Sequence, residues 1–142
     1  MLRKVLYIDL SQEEIWIEDR SELFEQWLGG TGVGTQLLLD ECKPAIDPLS
    51  PEAPIIFSIG PLNGMFPLAT KAVATFKSPL TKEFGESYAG GRLHMAMRFA
   101  GHEAIVIQGR ANRPSYISIN DADVKIKDAT SIWGTDAQTV GT

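Results

Sequence analysis

Residues Trp27–Glu41 read WLGGTGVGTQLLLDE, with Gly29, Gly30, Gly32 and Gly34 crowded ahead of an apolar run. A glycine loop that follows a strand and opens a helix often holds a phosphate. A Walker loop needs Lys and then Ser or Thr after its last glycine. Gly29 and Gly34 have the spacing, but Thr35 and Gln36 follow, so the lysine that would reach the outer phosphates is missing. The dinucleotide fingerprint needs glycines at i, i+2 and i+5, which no frame here supplies, and it must follow a strand. The segment upstream reads as a helix. The stretch is therefore a tight helix-to-helix connection whose glycines take positive φ, and not a nucleotide loop.

Working outward, Ser21 is placed to cap a short helix through Leu28, its hydroxyl accepting from an orphan backbone donor of the first turn. Gly29 and Gly30 end that helix, and a second runs from about Gly34 to Cys42, its faces set by Leu37, Leu38 and Glu41. Upstream, KVLYIDL and EIWIED alternate about the turn SQE and predict an antiparallel hairpin, Lys4–Leu10 with Glu14–Glu18. Downstream, the proline-rich KPAIDPLSPEAP is a loop, IIFSIG a buried strand, AVATF another strand and KSPLTKEFGES another loop. GGRLHMAMRFAG has the helical period, with Leu93, Ala96 or Met97, and Ala100 on one stripe, and Gly101 stopping it. AIVIQG is a short strand, SYISI and VKIKD pair across NDAD, and TDAQTV starts a helix at Thr135. The order predicts an α+β domain of mixed and antiparallel β-sheets with a few short helices.

Composition narrows the function classes. With 44% hydrophobic and 22% charged residues, the chain has the mix of a globular domain, and it lacks an apolar run long enough to span a membrane. The start, MLRKVLYIDL, is too short and too interrupted by Asp9 for a signal peptide. A single cysteine, Cys42, excludes an internal disulfide framework and fits a reducing, cytoplasmic setting. The net charge of −5 argues against a general nucleic-acid binder. That charge is uneven. Pro61–Arg110 holds six basic residues (Lys71, Lys77, Lys82, Arg92, Arg98, Arg110) against Glu83, Glu86 and Glu103. Such an island reads either as the site of an anionic ligand or as a solvated surface.

Within the island, SYAGGRLHM puts Gly90 and Gly91 at the start of a helix with Arg92 in its first turn. Backbone N–H groups there can receive an anion, and glycines let it approach; an ordinary helix start would read the same. His94 and His102 have no carboxylate or cysteine at ligand spacing and read as structural. Cys42 reads as a small buried side chain, and Trp16, Trp27 and Trp133 as core. No HExxH, CxxC or G-x-S-x-G pattern occurs, and no nucleophile, base and oxyanion hole assemble.

Taken together, GGTGVGTQLLLDE, IDPLSPEAPIIFSIGPLNG, KSPLT, AGGRLHMAMRFAGHEAIVIQGRANRPSYISI and IKDATSIWGTDA resemble, in order and spacing, the N-terminal domain of tungsten-containing aldehyde:ferredoxin oxidoreductases. The resemblance covers essentially the whole chain. It implies a two-sheet platform on which a bis-pyranopterin carrying tungsten (in some members molybdenum) lies under helical domains. A 4Fe–4S cluster nearby passes electrons from aldehyde oxidation to ferredoxin. Seven residues before the serine of KSPL the family carries a basic side chain, here Lys71, which would meet a pterin phosphate. The family's Asn-Ser/Ala-Gly-Gly segment, which contacts the pterin, falls on Tyr88, Ala89, Gly90 and Gly91, with Tyr88 replacing the usual Asn and Arg92 a less polar residue.

In that family the domain continues past the position of Thr142 into a second pterin loop, and the cluster cysteines lie further on. A cubane takes four thiolates, and this chain has one cysteine. The resemblance thus implies that residues 1–142 are a truncated cofactor-binding portion of an oxidoreductase. Alone it is expected to be inactive and to hold no cofactor stably. Its partners would be the remaining domains, a ferredoxin-type acceptor and, through an uncovered edge, a second copy in a homodimer. The alternative is a stand-alone, non-catalytic module of the same fold serving as an interaction subunit or small-anion binder.

Overall fold

The computed structural model describes residues 3–140. In chain order its elements are β1 (Lys4–Asp9), β2 (Glu14–Asp19), α1 (Ser21–Trp27), α2 (Gly30–Glu41), β3 (Ile55–Ile59), β4 (Ala72–Lys77), β5 (Phe84–Ala89), α3 (Leu93–Phe99), β6 (Ala104–Gln108), β7 (Ser115–Asn120), β8 (Asp123–Asp128) and α4 (Ala137–Val140). Six strands form one sheet in the order β2-β1-β6-β3-β4-β5, and β7 and β8 form a second. All pairs are antiparallel except β1 with β6. This is the α+β arrangement of mixed and antiparallel sheets that the sequence predicts.

The central strands are apolar on both faces because both are covered. Val5, Tyr7, Ile56, Ala104 and Val106 pack against Leu23 and Phe24 of α1 and Val33, Leu37 and Leu38 of α2. On the opposite face Leu6, Ile8, Ile59, Ala72 and Ile105 meet Met97 of α3 and the inner side of the β7–β8 hairpin. Leu37 is fully buried, which contributes about 1.5–3 kcal/mol relative to exposure.

The glycines of the opening stretch divide in two. Gly29 (φ +148°) and Gly30 (φ +55°) take the positive φ expected of a connection. Helix α2, however, starts at Gly30 rather than Gly34, so Gly32 and Gly34 lie inside it. Their reason is contact. A methyl on Gly34 would sit 2.8 Å from Ser58 Oγ and 2.9 Å from Thr75 Oγ1. Ser58 Oγ itself donates to Gly30 O at 2.8 Å. The helix lies directly on β3 and β4, leaving no room for a phosphate.

Five further expectations are corrected. Ser21 is the first residue of α1 and caps nothing with its side chain; its N–H and hydroxyl instead donate to Asp19 Oδ1 at 3.0 and 2.5 Å. These bonds, the hydroxyl's foremost, hold the Asp19 carboxyl below its usual range. The supposed loop KSPLTKEFGES contains the start of β5, a strand obscured in the sequence by Gly85. The Phe76 ring opposite covers that glycine, 2.7 Å from where its Cβ would be. The buried face of α3 is His94 and Met97, while Leu93 is 40% exposed. The tryptophans are not core: Trp16 stacks on Tyr7 from edge strand β2, and Trp133 is 69% exposed. Finally, Asp136 rather than Thr135 caps α4, its Oδ1 accepting from the N–H groups of Gln138 and Thr139 at 2.9 Å each. The readings that turn on Met1, Leu2 and Thr142 lie outside the described residues. Among those described, no helix is long and apolar enough to cross a membrane.

Candidate functional site

Strands β4 and β5 pair with Ala72 opposite Ala89. One residue beyond that pair, on each chain, stand Lys71 and Gly90. A methyl placed on Gly90 would sit 3.4 Å from Lys71 Nζ. Next to it, Gly91 (φ +80°) has open space where its Cβ would be, with nothing within 4 Å. Lys71, Tyr88, Ala89, Gly90, Gly91 and Arg92 are all exposed. The five residues predicted from the sequence therefore gather at one end of the edge strand β5, and the register of an antiparallel pair is what gathers them.

The basic island dissolves in three dimensions. Lys77 Nζ donates to Pro44 O (2.6 Å) and Ile46 O (2.9 Å), and Lys82 faces Asp47 at 3.9 Å. Arg98 is drawn inward, and Arg110 stands by the β1–β2 turn, its N–H donating to Ser11 Oγ. At the glycine turn, Lys71 and Arg92 make no side-chain hydrogen bond or ion pair among the described residues. Two unpaired cations flank open backbone, which suits a multiply charged anion.

The helix-start reading needs correction. Helix α3 begins at Leu93, has seven residues, and takes Arg92 as its N-cap, so Gly90 and Gly91 precede it rather than open it. The case for an anion passes from a helix terminus to the paired strands and the Lys71 ammonium. Tyr88 is half-exposed, and its hydroxyl lies 2.9 Å from Thr31 Oγ1 of α2 while donating to Glu86 Oε2 at 3.1 Å. It ties the edge strand to the first turn of that helix.

Two residues hold the site from behind: Asn63, which the sequence reading passed over, and Arg98, which it counted only in the basic island. Asn63, buried, accepts the Gly60 N–H on Oδ1 (3.2 Å) and donates from Nδ2 to Lys71 O (2.7 Å). Arg98 donates to Asn63 O (3.0 Å), Gly60 O (3.0 Å), Pro61 O (2.7 Å) and Glu103 Oε1 (2.7 Å). The run Pro61-Leu62-Asn63-Gly64 carries an ordinary turn signature; nothing local shows that Arg98 would reach it. His94 and His102 are buried, with Nδ1 of each unpartnered and His102 Nε2 3.0 Å from Asp121 O. Among the described residues no cluster of three or more metal-ligating side chains forms. Among the described residues the turn presents two cations beside open backbone and no nucleophile or base positioned for covalent chemistry.

Residues 5–142 match the family model described as aldehyde ferredoxin oxidoreductase, N-terminal domain. Over 133 residues the chain is 42% identical to the tungsten-containing aldehyde ferredoxin oxidoreductase of Pyrococcus horikoshii, covering 92% of this chain and 22% of that relative. It is 33% identical over 135 residues to a protein of Pyrococcus furiosus named aliphatic sulfonate oxidoreductase, WOR-like subunit, with the same shares of each chain covered. Among solved structures, the active site complex BamBC of benzoyl coenzyme A reductase with 1,5 dienoyl-CoA superposes with a TM-score of 0.94 at 30% identity, over 99% of this chain and 22% of that one. The chain thus spans 22% of the length of the relatives it matches.

Proposed function

The chain belongs to the aldehyde ferredoxin oxidoreductase family, in the part that forms its N-terminal domain, and from that premise we propose that it is the cofactor-binding portion of a tungsten- or molybdenum-pterin oxidoreductase. Lys71 would receive a pterin phosphate on its ammonium. The backbone of Ala89, Gly90 and Gly91 would line the approach, with Tyr88 as the side wall. The observation that supports this reading is the proximity of Lys71 Nζ to Gly90, created by the Ala72–Ala89 pair.

The residues fit the group. Among the described residues Lys71 and Arg92 are uncommitted cations, and Gly91 leaves space for a headgroup to reach the backbone. When bound, the metal–pterin group supplies the redox chemistry; the chain's own residues supply charge and placement. For the whole protein we propose oxidation of an aldehyde to a carboxylic acid, with electrons leaving through a 4Fe–4S cluster to a ferredoxin-type acceptor. The remaining domains of the parent protein would complete that site. Relatives named for aldehydes, for aliphatic sulfonates and for benzoyl-CoA share this domain. Substrate choice is accordingly assigned to the other domains.

The test is Lys71→Glu in the full-length protein, with tungsten and molybdenum measured by mass spectrometry. Loss of most of the bound metal is expected, because a carboxylate would face the phosphate. Metal content equal to the wild type would remove the role given to Lys71.

A further inference from the structure

Lys71 is an exposed side chain on a residue that precedes its strand, and such a lysine ordinarily samples many rotamers. Here its backbone is fixed from below. Asn63 Nδ2 donates to Lys71 O at 2.7 Å, and Asn63 Oδ1 closes the turn on Gly60 N–H. That turn is clasped on two sides. From α3, Arg98 forks across the carbonyls of Gly60, Pro61 and Asn63 and is neutralised by Glu103, whose side chain is 6% exposed. From the start of α2, Gly29 lies so close that a methyl on it would meet Ile59 O at 2.8 Å and Pro61 Cδ at 3.2 Å. Arg98 and Gly29 thus hold the turn from two sides, and the Asn63 amide within that turn holds the carbonyl of the cationic residue.

We infer that Asn63, braced by Arg98 and backed by Gly29, is the positioning residue that sets Lys71 against Gly90 for the anionic headgroup. The inference rests on the reading of Lys71 given above and adds to it a reason for Gly29, which admits the turn that carries Asn63. A carbonyl pinned by a buried amide keeps the ammonium's starting point constant. A side chain that begins from one backbone position loses less freedom on binding than one whose backbone also moves.

Asn63→Asp isolates the link. The carboxylate still accepts from Gly60 N–H but presents an acceptor, not a donor, to Lys71 O. In the full-length holoprotein, release of tungsten and pterin during dialysis is measured for Asn63→Asp, Lys71→Ala and the double variant, with Tm recorded for each. Faster release is expected for Asn63→Asp, by about tenfold, the order of one net hydrogen bond. The double variant is expected to release no faster than Lys71→Ala alone, because Asn63 acts through Lys71. Arg98→Lys, which keeps the ion pair to Glu103 but cannot fork over three carbonyls, is expected to fall between the wild type and Asn63→Asp; it carries the test if Asn63→Asp does not fold. Wild-type release from both Asn63→Asp and Arg98→Lys, with fast release from Lys71→Ala, overturns the inference and leaves the function standing. Effects that multiply in the double variant, in step with a falling Tm, overturn it also, since Asn63 would then serve the fold alone. Wild-type release from Lys71→Ala would remove the function assigned to that lysine and the inference together.

Discussion

A methyl added to Gly34 would meet Ser58 Oγ at 2.8 Å, whereas one added to Gly91 would meet nothing within 4 Å. Both glycines belong to clusters that resemble phosphate loops in one dimension. The first cluster lies between a helix and a sheet, where missing side chains let backbones approach. The second lies on the surface beside two cations that make no ion pair among the described residues, where the same absence leaves space for a ligand. The difference lies in what stands opposite each cluster, so composition alone cannot separate a packing glycine from a binding one.

Substitutions can break this comparison. Gly34→Val should have the largest effect, because two methyls and a Cβ must displace the hydroxyls of Ser58 and Thr75, themselves fully buried. A loss of about 3 kcal/mol is expected from urea unfolding of the chain; a loss below about 1 kcal/mol would show that α2 can lift off the sheet, and the contrast would fail.

A smaller effect, on the same helical side of the sheet, is carried by Tyr7. Burial, against an opposing Arg20 and assisted by Glu41 and Glu18, pushes its phenol from 10.0 up to about 12. The fold therefore favours the neutral phenol. Between those two values the unfolded chain binds fewer protons than the folded one, so stability is complete below the lower value and falls as pH rises through the higher. About 2 kcal/mol should be lost across that window. Tyr7→Phe should flatten this part of the stability-against-pH curve, and an unchanged slope would assign the loss to another group.

The smallest effect is expected at the open turn. Gly91→Ala meets no atom, and its φ of +80° leaves only backbone strain, about 1 kcal/mol. A drop in Tm as large as that of Gly34→Val would mean that the turn is packed, and the two clusters would no longer differ in kind.

Much of this pattern was legible in the sequence, for reasons that can be named. The turn in NDAD lies between two alternating runs, and it closes with Asp121 at φ +52° between Asn120 and Asp123. The absence of Lys after Gly34 disposed of a nucleotide loop before any fold was known. Other features were hidden. Gly85 disguised β5 as loop because its partner, the Phe76 ring, comes from another strand. Trp16 and Trp133 read as core because bulk predicts burial; instead they occupy an edge strand and a surface turn. Arg98 read as one member of a charge cluster, yet its partners are carbonyls in a turn far along the chain.

By itself the sequence determined which segments would be strands, helices and turns in most of the chain, and which residues were candidates to meet an anion. Those signals act over a few residues, through alternation, backbone freedom and side-chain charge. Only the tertiary structure decided that β1 would pair in parallel with β6, that β5 would be an edge, and that Ala72 would face Ala89. Those outcomes depend on covering both faces of the central strands at once, a condition on the whole chain. Once it is met, the register carries Lys71 to Gly90.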